Sequence, residues 1–247
     1  KSEFESYAAS GYTRIPLVRE VLADLDTPLS TYIKLAGDEY SYLFESVSGS
    51  EKASRYSIIG LSAKRLLRVT GQLVEIVEDG QFVESRTMSD PLQAVRQYQQ
   101  RFSAPDIEGL PRFTGGLVGY FGYDTVRYIE PGLGENHHPD PLQSPDILLM
   151  VSDEVLIFDK QKGRLFIVIN VDPGQADAWE AGQQRIEDLI KLLDQPLSHQ
   201  VRSATDEVGE EDFHSGFSRE GYMQAVERAR EYIRAGDIMQ VVLSQRM

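Results

Sequence analysis

The chain has 247 residues, 41% of them hydrophobic and 26% charged, a globular composition with enough apolar material for a sizeable core. Its 39 Asp and Glu outnumber 25 Lys and Arg to give a net charge of -14, which disfavours nucleic acid and anionic membrane as partners, since both require a positive surface. The absence of cysteine excludes disulfide scaffolds, zinc ribbons and thiol nucleophiles, and with no apolar run of eighteen residues and no basic-then-apolar leader the expected location is cytoplasmic.

From the N-terminus, Glu3 to Ala9 predicts a short helix ending before Gly11. Ile15 to Val18 reads as extended, because Pro16 keeps the residue before it out of the helical region. Asp26 or Thr27 followed by Pro28 marks a helix start, and Leu29, Tyr32, Ile33 and Leu35 continue at helical spacing to Gly37. A strand is expected over Tyr40 to Val47.

The stretch Phe44 to Gly60 reads as strand, polar loop, strand: Tyr42, Phe44 and Val47 are aromatic or β-branched, Gly49 and the serines break the run, and Tyr56-Ser57-Ile58-Ile59 resumes it. Its glutamates, hydroxyls and Lys-Arg pair are the parts needed to hold a zwitterion: a carboxylate takes an ammonium, while hydroxyls and backbone N–H groups take a carboxylate. By composition alone the favoured reading of the same charges is a solvated loop, as charged loops between strands usually are. The wording Phe44-Glu45-Ser46 followed by Glu51-Lys52-x-x-Arg55-Tyr56-Ser57-Ile58-Ile59-Gly60 closely resembles the effector segment of the anthranilate synthase component I family. There a Leu-Leu-Glu-Ser element contacts the feedback inhibitor L-tryptophan.

Four short strands are expected next, at Tyr56–Gly60, Arg65–Thr70, Leu73–Glu78 and Phe82–Thr87, as one antiparallel meander with turns at Gly71-Gln72 and Asp79-Gly80. Asp90-Pro91 then starts a helix with Leu92, Val95, Tyr98 and Phe102 on one face, placed to cover the meander. Gly115-Gly116-Leu117-Val118-Gly119-Tyr120-Phe121-Gly122-Tyr123-Asp124 is the most glycine-dense segment, but no Lys-Ser/Thr pair follows and its intervals are not those of a dinucleotide fingerprint. The structural reading is close backbone approach at the glycines, with Tyr120, Phe121, Tyr123 and Tyr128 filling the core. The segment also resembles the family's Gly-Gly-x-x-Gly-Tyr-x-x-Tyr-Asp signature.

Pro131 to Ser144 is a proline-rich loop whose His137 and His138 read as solvated, there being no cysteine and no helical His spacing nearby. Asp146 to Phe158 is a strand pair or one bent strand, and Arg164 to Val171 is its hairpin partner across Lys160–Gly163. Ala176 to Leu193 is the clearest helix, with Trp179 on its apolar side. Pro196 to Ser218 is poor in apolar residues and holds Asp206, Glu207, Glu210, Glu211 and Asp212, which reads as a mobile acidic connection. The organisation expected is thus a region 1–195, a linker 196–217 and a segment 218–247. In the last, Ser218 caps a helix that stops at Gly236, and Asp237 to Met247 reads as a strand.

Tyr232 to Gln245 is very similar to the start of the chorismate-binding domain shared by anthranilate, aminodeoxychorismate, isochorismate and salicylate synthases. In that superfamily the water-using enzymes carry a lysine general base at the position of Gln240 and the ammonia-using enzymes carry glutamine. Ammonia is already a competent nucleophile and needs only to be placed.

The resemblance implies an α+β fold of antiparallel, sandwich-like β-sheets with helices packed outside, as an incomplete part of the chorismate-utilising enzyme fold. It implies the regulatory N-terminal half of a lyase that makes anthranilate and pyruvate from chorismate and ammonia in tryptophan biosynthesis, under feedback inhibition by L-tryptophan. A glutamine amidotransferase subunit would be the partner, and magnesium would be held by residues beyond Met247, with no metal ligand in this chain. The same resemblance places Phe44, Glu45, Ser46, Tyr56 and Ser57 at the tryptophan pocket, and gives Gln240 the role of positioning ammonia or substrate. Aminodeoxychorismate synthase component I is the alternative within the superfamily, and a stand-alone amino-acid-sensing or interaction module the alternative from another class.

Overall fold

Among the described residues, runs that alternate or concentrate β-branched residues pair into two antiparallel five-stranded sheets, and helices cover one face of each. The structure is a computed structural model that describes residues 1–22, 24–45, 55–134, 140, 142–197 and 209–245. The chain divides into two units, Lys1–His199 and Gln200–Met247.

In the first unit the order is α1 (Ser2–Ala9), β1 (Ile15–Leu22), α2 (Pro28–Leu35), β2 (Tyr42–Glu45), β3 (Tyr56–Gly60), β4 (Arg65–Thr70), β5 (Leu73–Glu78), β6 (Gln81–Thr87), α3 (Pro91–Gln99), β7 (Gly116–Phe121), β8 (Ile147–Ser152), β9 (Glu154–Asp159), β10 (Arg164–Val171) and α4 (Ala178–Leu193). The first sheet runs β1-β10-β9-β3-β2 and the second β6-β5-β4-β8-β7. The expected α+β class with antiparallel sheets is therefore what the chain adopts.

Local chemistry sets the boundaries. Thr27 and Ser30 cap α2 reciprocally, each hydroxyl accepting the other's backbone N–H, with Pro28 at the first helical position. Asp79 and Gly80 both take positive φ, 46° and 77°, the pairing that a two-residue hairpin turn requires between β5 and β6. Gly119 on β7 is fixed by close approach: a Cβ there would lie 1.9 Å from the Leu148 carbonyl oxygen.

The central strands carry the core. Ile59, Leu156 and Ile167 are completely buried and pack with Ile186 and Leu189 of α4 on one face of the first sheet. Val155, Ile157, Phe166 and Val168 form a cluster on the opposite face with Tyr56, Ile58 and Phe113. The second sheet packs Leu67, Val69, Ile76, Ile147 and Leu149 against Ala94, Val95 and Tyr98 of α3. Each such side chain contributes about 1.5–3 kcal/mol by leaving water.

Several expectations need correction. The meander has three strands, β4-β5-β6, because β3 lies in the first sheet between β2 and β9, where Tyr56–Gly60 pairs with β9 along its length. The run Asp146–Phe158 is one stretch that changes sheets at Asp153: β8 pairs with β4 and β7, while β9 pairs with β3 and β10. Arg14 and Arg65 both donate to the Asp153 carboxylate at that corner. Tyr120, Phe121 and Tyr123 do not fill the core, since β7 is an edge strand and Tyr123 follows it in a 3-10 turn where it is 93% exposed. Tyr128 is the aromatic of that group that packs inward, donating its hydroxyl proton to Asp146 at 2.7 Å. Strand β1 runs on to Leu22, paired in register with β10 throughout. Strand β2 is shorter than expected, beginning at Tyr42, since Tyr40 takes a positive φ of 57°.

In the second unit, Ser218 caps α5 (Arg219–Ala235) by accepting the Gly221 N–H, and Gly236 ends it at φ 83°. Residues 237–245 form no strand. The strand expected there fails for want of a neighbouring strand among the described residues, so its backbone has no ladder to join.

Candidate functional site

Strands β2 and β3 end at the same side of the first sheet, and their register places Glu45 directly opposite Ser57. Side chains alternate along each strand, so the candidate residues fall on two faces. Leu43, Ser57 and Ile59 belong to the face that packs on α2 and α4, whereas Tyr56 and Ile58 belong to the cluster on the other face. Glu45 and Ser57 are brought together; Phe44 and Tyr56 stand behind them on the reverse side. Ser46 lies outside the described residues, as do His137 and His138.

The Glu45–Ser57 face is a small electrostatic unit. Ser57 is completely buried and donates its hydroxyl proton to Glu45 Oε1 at 3.2 Å. Lys160 Nζ lies 2.9 Å from the same oxygen. The Lys160 ammonium, and to a smaller degree the Ser57 hydroxyl, hold the Glu45 carboxyl below its usual 4.5, so it is ionised at neutral pH. Its side chain is 33% exposed and that of Lys160 36% exposed, so the pair meets solvent at the sheet end.

The reverse side is more rigid. Arg55 holds Asp159 in a two-pronged contact, Nε to Oδ1 at 3.0 Å and Nη2 to Oδ2 at 2.5 Å. Asp159 Oδ1 also accepts the backbone N–H groups of Gln161 and Lys162, closing the turn between β9 and β10. The Arg55 guanidinium stacks over the Tyr56 ring, 4.8 Å from its centre. Phe44 packs against Tyr42, ring centres 4.8 Å apart, and Tyr42 crosses so close above Gly60 that a Cβ there would lie 1.9 Å from the ring. A carboxylate, a buried hydroxyl and a lysine therefore face one side, with aromatic rings and a fixed guanidinium on the other. Such a set can hold an ammonium group on the first side.

Lys160 and Asp159 are functional candidates that residue-by-residue reading passes over. Lys160 is two residues beyond Phe158, which pairs with Ser57, so the strand alternation puts it on the Glu45 face. That relation requires knowing that β9 neighbours β3, and no local pattern states it. Gln240 is exposed on the irregular segment after α5.

The sequence matches the family of chorismate binding enzymes over residues 50–247, and the chain belongs to that family. Among curated relatives it is 51% identical to anthranilate synthase component 1 of Pseudomonas putida, over 100% of this chain and 50% of that protein. It is 37% identical to the protein of the same name from Aquifex aeolicus, over 96% of this chain and 48% of that one. The chain thus spans about half the length of the curated relatives it matches. In fold it is similar to the crystal structure of anthranilate synthase component I from Streptococcus pneumoniae TIGR4, with a TM-score of 0.58 and 22% identity, covering 88% of this chain and 46% of that chain.

Proposed function

We propose that this chain is the regulatory portion of an anthranilate synthase component I, and that the Glu45–Ser57 face is where L-tryptophan exerts feedback inhibition. The observation that supports this most is the direct pairing of Glu45 with the buried Ser57 across β2 and β3. An ionised carboxylate, held in one orientation by a hydroxyl that cannot turn to solvent, is suited to receive the ammonium of an amino acid. Phe44 and Tyr56 contribute from the reverse face by fixing the two strands, and Ser46 completes the set.

In this reading the whole protein converts chorismate and ammonia to anthranilate and pyruvate as a cytoplasmic carbon-oxygen lyase of tryptophan biosynthesis. Ammonia is delivered from glutamine by a partner amidotransferase subunit, and Gln240 positions ammonia or substrate without acting as a base. Magnesium serves such chemistry as a Lewis acid on the substrate carboxylates. Its ligands are proposed to lie in the part of the relatives' length that this chain does not span. The 247-residue chain alone is accordingly proposed to be inactive.

The test is anthranilate fluorescence from the full-length protein with chorismate, magnesium and ammonium, titrated with L-tryptophan, for wild type and Glu45→Gln. The expected result is anthranilate formation in both and inhibition in wild type alone. Absence of anthranilate overturns the enzyme assignment, and equal inhibition of both proteins overturns the effector site.

A further inference from the structure

The three strands β2, β3 and β9 align Glu45, Ser57 and Phe158 in one row across the sheet, since Glu45 pairs with Ser57 and Ser57 with Phe158. Lys160 follows Phe158 by two residues and so leaves the sheet on the same face. Its backbone is anchored there, because its N–H donates to the Arg55 carbonyl at 2.9 Å. From that anchor the side chain passes over β3 and sets Nζ 2.9 Å from Glu45 Oε1, the oxygen that also accepts the Ser57 hydroxyl. An ammonium is thus already present where the effector reading requires the ligand's ammonium to go.

Two cations cannot both make their full contact with this oxygen, because like charges a few ångströms apart repel. The lysine end is also the part of this unit able to leave: it is 36% exposed and has a flexible four-carbon stem, whereas Ser57 is fully buried. We propose that Lys160 is a built-in occupant of the ammonium position at Glu45, and that an amino-acid effector binds by displacing it. The inference rests on the effector reading above and adds a residue that lowers effector affinity, setting the concentration at which inhibition begins. Lys160 also keeps Glu45 paired while the effector is absent, so the carboxylate is never left without a counter-charge.

Removing a competitor and removing a ligand contact have opposite signs, which makes the idea testable. Binding is measured by calorimetry on the full-length protein, since Trp179 would confuse a fluorescence signal. The ligands are L-tryptophan, tryptamine, which keeps only the ammonium, and indole-3-propionate, which keeps only the carboxylate. Lys160→Met is expected to bind L-tryptophan and tryptamine about two- to five-fold more tightly, the worth of an exposed ion pair. Indole-3-propionate affinity is expected to stay unchanged, and Lys160→Arg, which retains a competing cation, to bind all three as wild type does. Weaker L-tryptophan binding by Lys160→Met would overturn the proposal by making Lys160 a carboxylate ligand. A parallel change with all three ligands would overturn it by making the effect one of local structure. Wild-type protein that binds no L-tryptophan would instead remove the effector reading itself, and this inference with it.

Discussion

Two apolar runs of similar composition meet opposite fates in this chain. Val155-Leu156-Ile157-Phe158 is the middle of β9, where no residue of the four is more than 5% exposed. Val241-Val242-Leu243 follows α5 in the second unit, where Val242 is 80% exposed and no strand forms. Intrinsic preference does not separate them, for both are rich in β-branched or branched residues. Neighbours do: β9 has β3 on one side and β10 on the other, so every backbone group finds a partner and both faces are covered. The Val241 run has neither partner among the described residues. Strand formation is thus a property of the pair of segments, and apolar character only makes the pairing worthwhile.

The largest test of this contrast is Leu156→Ala. Leu156 is completely buried between the strands and α4, so truncation leaves a cavity as well as lost apolar contact, with an expected loss of about 3–4 kcal/mol in denaturant unfolding of the chain. A loss under about 1 kcal/mol would mean that the two runs differ less than their burial implies. Asp159→Asn comes next. It keeps the shape but removes the charge that faces Arg55 and the two turn N–H groups, and the expected cost is about 2–3 kcal/mol. Pairing with Arg55, more than the two turn N–H groups, holds the Asp159 carboxyl below its usual 3.8. A group whose folded value is depressed stabilises fully above its unfolded value and loses that contribution as the pH falls through the lower, folded value. The gap between wild type and Asp159→Asn should therefore be constant at neutral pH and narrow below about pH 3.8. A gap that widens on acidification would reverse the assigned sign.

Glu45 gives a smaller, graded effect of the same sign. Lys160 and then Ser57 hold its carboxyl below 4.5, so the pair is intact above that value and opens as the pH falls below it. Glu45→Gln is expected to lower the neutral plateau by the small height of this step, so that the two proteins converge on the acid limb. A gap that does not close on acidification would mean that Lys160 and Glu45 are not coupled.

How much was legible in the sequence follows the same division between local and paired information. Capping at Thr27 and Ser218, the Asp79-Gly80 turn, the helix of Trp179 and the glycine stop at Gly236 are decided within a few residues, and the reading found them. The split of β3 from β4, the sheet change at Asp153 and the exposure of Tyr120 and Phe121 depend on which strand lies beside which, and reading along the chain missed them. The candidate site divides in the same way. The sequence points to Glu45 and Ser57, and the register sets them opposite one another; it points equally to Phe44 and Tyr56, which strand alternation puts on the other face. Lys160 was missed because its relation to Glu45 crosses two strands and more than a hundred positions of sequence.

The smallest predicted effect is the most direct probe of the comparison. Val242→Ala deletes two methyl groups from a side chain already 80% in water, so little apolar area changes environment, and the unfolding free energy of this chain should change by less than about 0.5 kcal/mol. The same protein offers an internal control by hydrogen exchange: amides of residues 155–158 should exchange only on opening of the sheet, and those of residues 241–243 at nearly the rate of an unstructured peptide. A partner segment that completes the ladder would bring the Val241 run under the rule that governs β9. In a protein carrying such a segment its amides should slow, and Val242→Ala should rise toward the cost of a buried valine, about 1–3 kcal/mol. If protection and mutational cost in that longer protein both stay at the values of this chain, the run is not a latent strand, and the contrast with β9 lies in the sequence after all.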